Sequence, residues 1–188
     1  LSDRADIEEA SSLESFLAQT RSGTDAFVDT EWLLTTSGTT GTPKLVRHQR
    51  ASIFRSVKAE RAPNSEHRWA MLYDPSRFAG TQVLAQALLT GATLLTPRTG
   101  MTTGEIVDWL GEEQCTHISA TPSLWRRLLM APAALRLPLK QITLGGEIAD
   151  DAILGALKAR YPKARITHIY ASTEAGTGFA GRDGKAGF

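Results

Sequence analysis

The stretch THISATPSLWRRLL, residues 116–129, joins a short apolar segment directly to an amphipathic one. THISA is typical of a strand, and TPSLWRRLL predicts a helix because Thr121 can cap its first turn and Pro122 fits inside that turn. A strand followed at once by a helix is the repeating unit of a parallel sheet covered by helices. The stretch therefore predicts an α/β fold.

The same alternation continues on both sides of this unit. Further strands are predicted in 31–36, 45–49, 68–74, 92–97, 140–145 and from 165 onward, and further helices over 51–62, 78–91, 102–114 and 150–162. Leu13, Phe16 and Leu17 form an additional helical stripe near the start. The glycine-rich end, 176–188, indicates a mobile or incomplete segment. We expect one α/β domain over 1–188, with a mostly parallel β-sheet flanked by helices.

Composition excludes several classes of function. The net charge is +1 with mixed signs, which gives no electrostatic footprint for nucleic acid or for an anionic membrane, and no apolar run reaches membrane-spanning length. The one cysteine, Cys115, is expected to be a small buried side chain and fits a reducing, cytoplasmic location. The polar start is no signal peptide, and the missing initiator methionine is consistent with a piece of a larger protein.

Three polar breaks, at 36–44, 145–147 and 171–176, follow predicted strands. Ligands of α/β sheets bind beyond the carboxyl ends of strands, so the three breaks together predict one binding site.

The first break suits a polyphosphate. Its glycines, Gly38 and Gly41, allow backbone N–H groups to turn inward, and Lys44 adds a positive charge. Hydroxyl donors come from Thr36, Ser37, Thr39 and Thr40. The spacing G-x-x-G-x-x-K is not that of a Walker A loop, which makes a plain P-loop phosphotransferase improbable. The alternative is a hydroxyl-rich hairpin turn without function.

The third break, YASTEAG, carries an aromatic ring, hydroxyls and a carboxylate. Tyr170 can stack on a base, Thr173 can donate to a phosphate, and Glu174 can hold Mg²⁺. The alternative is an exposed turn. The second break, LGGE at 144–147, is ordinary turn chemistry when taken alone.

TTSGTTGTPKLV together with YASTEAG resembles the phosphate loop and the Y-G-x-T-E signature of the adenylate-forming superfamily. That superfamily includes acyl- and aryl-CoA ligases, luciferases and peptide-synthetase adenylation domains. The likeness covers about 31–178, with LGGE in the place of the adenine-side turn. Ala171 stands where the family usually has glycine, and His168 where asparagine is common. The family's C-terminal lid would lie beyond Phe188, so the chain resembles a central fragment of the large N-terminal domain. We expect that fragment to be inactive alone.

The resemblance implies an ATP-dependent ligase that joins a carboxylic acid to AMP and then passes the acyl group to coenzyme A or to a carrier protein's phosphopantetheine. Lys44, Thr173 and Glu174 are the implied catalytic residues, with Glu174 holding Mg²⁺. The implied ATP-binding residues are Thr36, Ser37, Gly38, Thr39, Thr40, Gly41, Lys44, Gly145, Gly146, Glu147, Tyr170, Ala171, Ser172 and Thr173.

The segment YDPSR, 73–77, lies where the family builds its acid pocket. Arg77 occupies roughly the place of a histidine found in many acyl-CoA ligases, and its guanidinium could face the substrate carboxylate. Asp74 resembles the aspartate with which amino-acid-adenylating domains hold the substrate ammonium, although Asp also caps such turns without any function. Gly146 is a third candidate contact of the substrate. We expect an acyl or aryl acid rather than an amino acid, and a non-catalytic nucleotide-binding module remains an alternative.

Overall fold

The computed structural model describes residues 31–36, 44–49, 53–55, 57, 66–172 and 176–181, with backbone alone for residues 36, 44, 45, 171, 172 and 176–180. The predicted helical stripe at Leu13 to Leu17 lies outside the described residues, as does most of the helix predicted over 51–62. The described elements in chain order are β1 Glu31–Thr36, β2 Lys44–Gln49, β3 Arg68–Ala70, α1 Phe78–Leu89, β4 Thr93–Leu95, α2 Thr103–Glu112, β5 His117–Ala120, α3 Pro122–Met130, a 3₁₀ helix Pro132–Arg136, β6 Gln141–Gly145, α4 Asp151–Arg160, β7 Arg165–Ser172 and β8 Gly176–Gly181.

Six of these strands form one sheet in the order β4-β3-β5-β6-β7-β8. The first five are parallel, and β8 is antiparallel to β7 at the edge. The predicted α/β fold with a mostly parallel sheet is confirmed. The glycine-rich end was expected to be mobile, yet its first part is this edge strand. Small residues suit the position, because a Cβ on Gly181 would lie 2.3 Å from Nε2 of the buried His168.

The direction of winding reverses at β3. The chain passes from β3 through α1 to β4 on one side, and then from β4 through α2 to β5 on the other side of β3. Right-handed crossovers therefore place α1 on one face of the sheet and α2, α3 and α4 on the opposite face. Consistent with this arrangement, α2 contacts α3, and α3 contacts α4. The gap between β3 and β5 is the topological switch point, where α/β sheets bind ligands.

The two faces of the sheet differ in polarity. The main core joins Ile118, Ile142 and Leu144 to the helical residues Trp125 and Leu128. The alternate positions of the same strands form a buried polar face with His117, Gln141, Thr143 and Thr167. Within this face, Gln141 Nε2 donates to the hydroxyls of Thr143, at 3.1 Å, and of Thr167, at 3.4 Å. Cys115 is buried as predicted, and burial raises its pKa to about 12.

The hairpin of β1 and β2 forms a separate two-stranded sheet, with Thr36 paired to Lys44 at the end where the chain connects the two strands. The sequence suggested that the break at 36–44 follows a strand of the main sheet, and this is wrong, because β1 pairs only with its own return strand within the described residues. The hairpin packs on the start of α1 through a second apolar cluster of Leu34, Ile53 and Phe78.

Local signals account for the helix boundaries. The Thr121 hydroxyl accepts from the Leu124 N–H at 3.2 Å, as expected of a cap. Asp150 caps α4 in the same way, at 2.9 Å from the Ile153 nitrogen. Gly91, just after α1, has a φ of 64°, a conformation that favours glycine. Within the described residues, no helix combines the length and apolar character needed to cross a membrane.

Candidate functional site

The carboxyl ends of the parallel strands gather the second and third polar breaks. Gly145, the last residue of β6, is paired with Ile169 of β7, so the LGGE turn and Tyr170 lie side by side at one edge. The segments that follow β3 and β5 leave the sheet at the same edge, because all these strands are parallel. The edge therefore carries the Asp74 turn, the start of α3, the glycine turn and Tyr170.

Tyr170 presents an aromatic surface at this edge, since 54% of the residue is exposed. The pairing of β7 with β8 shifts register between Tyr170 and Ala171, and such bulges re-aim side chains at sheet edges. Beside it, Gly146 has a φ of 81°, in the left-handed region that favours glycine. An exposed ring beside a side-chain-free turn is a suitable surface for a flat heterocycle.

Tyr73 links the ends of β3 and β6. Its hydroxyl donates to the Gly145 carbonyl at 3.3 Å, and burial raises the pKa of the phenol, so it stays protonated. Tyr73 was not among the site residues predicted from the sequence, whereas Asp74, which follows it, was. An aromatic residue that carries a hydroxyl, placed directly before a predicted site aspartate, was the available signal.

Glu147 holds the glycine turn against the start of α3. One carboxylate oxygen accepts from the Ser123 hydroxyl at 2.6 Å and from the Ser123 N–H at 2.9 Å. The Ser123 hydroxyl is the main cause that lowers the pKa of Glu147, with further contributions from the Ser123 N–H, the Thr121 side chain and Arg126. Sequence reasoning missed Ser123, because nothing in the spacing shows that residues 123 and 147 meet.

Asp74 is exposed at the switch point, in a tightly hydrogen-bonded turn. Its Oδ1 accepts from the Ser76 hydroxyl at 2.7 Å and from the Ser76 N–H at 2.9 Å. These two bonds, the hydroxyl first, lower the pKa of Asp74 and keep it ionised at neutral pH. The turn closes through the Arg77 N–H, which donates to the Asp74 carbonyl at 3.0 Å. The carboxylate therefore caps a turn, as the alternative interpretation expected, and it also remains accessible to a cation.

Arg77 reaches away from the main sheet toward the hairpin. Its Nη1 donates to the Thr35 carbonyl at 3.1 Å and lies 3.5 Å from the Thr35 hydroxyl. The guanidinium predicted to face a substrate carboxylate is thus bonded to the backbone of β1.

Several predicted residues are described by backbone alone or lie outside the described residues. Thr36 and Lys44 pair at the end of the hairpin where the chain connects its two strands, while Ala171 and Ser172 pair with β8. The predicted site residues outside the described ranges are Ser37, Gly38, Thr39, Thr40, Gly41, Thr173 and Glu174. In the part of the chain that the structure describes, no three His, Cys, Asp or Glu side chains form a group suited to a metal ion.

A cleft of about 430 Å³ opens at the same edge, on the α2 and α3 side. Its lining exposes polar and apolar surface in similar amounts, and its charged side chains are Asp74 and Arg127.

The chain resembles known proteins along most of its length. The family model described as AMP-binding enzyme matches residues 5–186. Surfactin synthase subunit 2 of Bacillus subtilis (strain 168) is 31% identical over 150 residues, which are 78% of this chain and 4% of that protein.

Solved structures share the fold. The inhibitor-bound N-terminal domain of FACL13 from Mycobacterium tuberculosis has a TM-score of 0.65 at 20% identity, over 85% of this chain and 43% of that one. ATP-bound MatB from Rhodopseudomonas palustris has a TM-score of 0.66 at 17% identity, over 80% and 30%. The chain thus spans less than half the length of each of these three proteins. The family match over nearly the whole chain, on a fold shared with adenylate-forming enzymes, shows that the chain belongs to the AMP-binding enzyme family.

Proposed function

We propose that this chain carries the ATP-binding part of a ligase that joins a carboxylic acid to AMP and then passes the acyl group to a thiol. The observation that carries the proposal is the exposed Tyr170 ring beside the Gly145–Gly146 turn, at the edge that also presents Asp74. Membership of the AMP-binding family supports the nucleotide. The 31% identity to surfactin synthase subunit 2 and the fold shared with FACL13 are compatible with either a carrier-bound or a free thiol.

The nucleotide roles follow the family resemblance. Tyr170 stacks on adenine, and the turn of Gly145, Gly146 and Glu147 lines the same side of the base. The loop that starts at Thr36 and ends at Lys44 binds the β- and γ-phosphates, Thr173 binds the α-phosphate, and Ser172 is a further ATP-binding residue. The described part of this set suits a base, because it joins a half-exposed ring to a turn without side chains.

The reaction needs positioning and charge neutralisation more than acid–base catalysis. A carboxylate oxygen of the acid attacks the α-phosphorus, the new P–O bond forms, and the bond to the β-phosphate breaks as pyrophosphate leaves with the electron pair. Lys44 neutralises charge on the phosphates. Glu174 is the residue we propose to hold Mg²⁺, which supplies further charge neutralisation when bound.

The acid is the less determined substrate. An acyl or aryl acid is the first candidate from the sequence, in which the 73–77 segment lies where the family builds its acid pocket. An amino acid is the second candidate, and a specific observation favours it. Asp74 is ionised, exposed and at the switch point, so its second carboxylate oxygen can pair with an α-ammonium group. The acceptor is coenzyme A in the first case and the phosphopantetheine of a carrier protein in the second.

Pyrophosphate exchange into ATP by the full-length gene product tests the proposal. The panel holds fatty, aryl and amino acids, and Lys44→Ala is the variant expected to lose most of the exchange. Asp74→Asn separates the acid classes, because it should reduce exchange only when the substrate carries an ammonium group. Absence of exchange with every acid, together with measurable ATP binding, would favour a non-catalytic nucleotide-binding module. Inactivity of the 188 residues alone stays a prediction, for which acyl-hydroxamate formation is the measurement.

A further inference from the structure

The phosphate-loop hairpin and the main sheet are joined through the first turn of α1. The hairpin pairs with no strand of the six-stranded sheet. Phe78, the first residue of α1, packs with Leu34 of β1 and with Ile53. Gln82, one turn later, donates to the Ile53 carbonyl. Within the described residues, this first turn of α1 therefore connects the hairpin side of the molecule to the main sheet.

Arg77, directly before α1, makes the polar contact with the strand that leads into the loop. Its Nη1 lies 3.1 Å from the carbonyl oxygen of Thr35. The next residue, Thr36, is the last of β1 and pairs with Lys44, so the bonded carbonyl is one residue from the end of the strand. A charge-assisted bond to a backbone carbonyl fixes the course of the strand whatever side chain the strand carries.

The backbone of Arg77 is hydrogen-bonded to the turn that carries Asp74. Its N–H donates to the Asp74 carbonyl at 3.0 Å, and its carbonyl accepts from the Thr81 N–H at 2.9 Å. The Thr81 hydroxyl also donates to the carbonyl of Pro75, at 3.1 Å. One residue thus ties a rigid turn at the switch point, by its backbone, to the phosphate-loop hairpin, by its side chain.

We propose that Arg77 is a positioning residue that sets the β1–β2 hairpin, which carries the proposed phosphate loop, against the acid-binding turn. The inference rests on the proposed adenylation, and it replaces the expectation that this guanidinium faces the substrate carboxylate. An α-phosphorus and an attacking carboxylate oxygen must be held at a near-attack distance of about 3–3.5 Å, so the separation of the two binding elements matters for the reaction. Arg77 links those elements without touching either substrate.

The two possible roles of Arg77 predict changes in the KM of different substrates. A residue that positions the phosphate loop affects the KM for ATP and pyrophosphate and leaves the KM for the acid unchanged. A residue that binds the substrate carboxylate affects the KM for the acid. Arg77→Ala removes both functions, whereas Arg77→Lys keeps the charge and an N–H donor group but loses the planar geometry of the guanidinium.

Steady-state pyrophosphate exchange with the full-length gene product distinguishes these roles. We expect Arg77→Ala to raise the KM for ATP by about three- to tenfold, with the KM for the acid within about twofold, and Arg77→Lys to restore part of the loss. Arg136→Ala is the matched control, because Arg136 is an exposed arginine whose contact is with Asp108, 3.9 Å away. It should change neither constant.

A rise confined to the KM for the acid would overturn the inference and leave the proposed function intact. A wild-type protein without exchange for any acid would instead overturn the proposed function. In that case calorimetric titration with ATP still tests the positioning role, since Arg77→Ala must weaken ATP binding and Arg136→Ala must not. If the alanine variant does not fold, Arg77→Lys is compared with the wild type instead. A lysine variant with an unchanged KM for ATP and a raised KM for the acid would contradict positioning.

Discussion

Gly80→Ala provides a sharp test of how the acid-binding turn is built. Gly80 is the third residue of α1 and lies against the backbone of the turn that precedes the helix. A Cβ at this position would lie 2.0 Å from the Asp74 carbonyl oxygen, 2.6 Å from its carbon and 2.8 Å from the Cα of Pro75. All three contacts are with backbone, which no side-chain rotation can relieve. The helix and the turn would have to separate.

The required movement sets the expected cost. The shortest contact has to grow from 2.0 Å to at least 3.0 Å, the lower limit that real Cβ atoms show. A shift of that size disturbs two bonds of the turn, from the Arg77 N–H to the Asp74 carbonyl and from the Thr81 hydroxyl to the Pro75 carbonyl. Each contributes about 1 kcal/mol, and overpacking adds about 1–3 kcal/mol, against a gain of about 1 kcal/mol from better helix propensity. We expect a net loss of about 3 kcal/mol and a fall in Tm of roughly 6–12 °C.

Thermal unfolding followed by far-ultraviolet circular dichroism measures this loss. Gly155→Ala is the matched control, because Gly155 lies inside α4 and an added Cβ would meet no atom within 4 Å. That variant should be more stable by about 0.5–1 kcal/mol. A Gly80→Ala protein that unfolds at the wild-type temperature would refute the reasoning, since the turn would then yield at no cost. The same variant should also lose exchange activity, because Asp74 and Arg77 belong to the displaced turn.

Three further predictions concern the core and the nucleotide site. The pKa of His117 is lowered from 6.5 to about 3, mainly by burial. Unfolding between these pH values therefore takes up a proton. The free energy of unfolding falls as the pH drops below 6.5, by at most about 1.4 kcal/mol per pH unit. Urea unfolding at pH 7 and pH 5 should show a smaller difference for His117→Phe, and an identical difference would contradict the buried neutral state. Tyr161→Phe removes the bond that the hydroxyl donates to the buried Ala134 carbonyl at 2.6 Å. Urea titration should show that the free energy of unfolding falls by about 1–2 kcal/mol. An unchanged free energy of unfolding would mean that another contact compensates for the bond. Glu174→Gln should raise the Mg²⁺ concentration needed for exchange while the affinity for AMP stays constant. An unaltered Mg²⁺ titration would mean that the carboxylate has only a structural role.

Most of the fold could be predicted from local signals. Buried parallel strands are recognisable as apolar runs, and capped helices between them leave few alternatives, so THISATPSLWRRLL already indicated the architecture. The edge strand β8 could not be predicted, because its residues are glycine-rich and its pairing depends on the neighbouring β7. The polar face of the sheet was equally hidden, since Gln141 and Thr143 are satisfied only by residues from adjacent strands.

The candidate site could be predicted by residue type but not by contact. Gly145, Gly146 and Tyr170 were predicted to share one site, and they lie side by side because β6 and β7 are neighbours. The contacts of Glu147 with Ser123 and of Arg77 with Thr35 could not be predicted, since these pairs are 24 and 42 residues apart. Such long-range partners are set by how the crossovers return the chain, which no local spacing encodes.

The separate apolar cluster under the hairpin has a consequence for hydrogen exchange. The main core links strands and helices from Ala70 to Ile166 into one cooperative unit, whereas the hairpin is buried through the small cluster of Leu34, Ile53 and Phe78. Amide protons of β1 and β2 can therefore exchange through an opening that breaks this cluster and the Arg77–Thr35 bond, while those of β5 and β6 require global unfolding. Nucleotide held between the hairpin and the sheet edge would close that opening, so protection of the β1 and β2 amides would report occupancy of the phosphate loop directly.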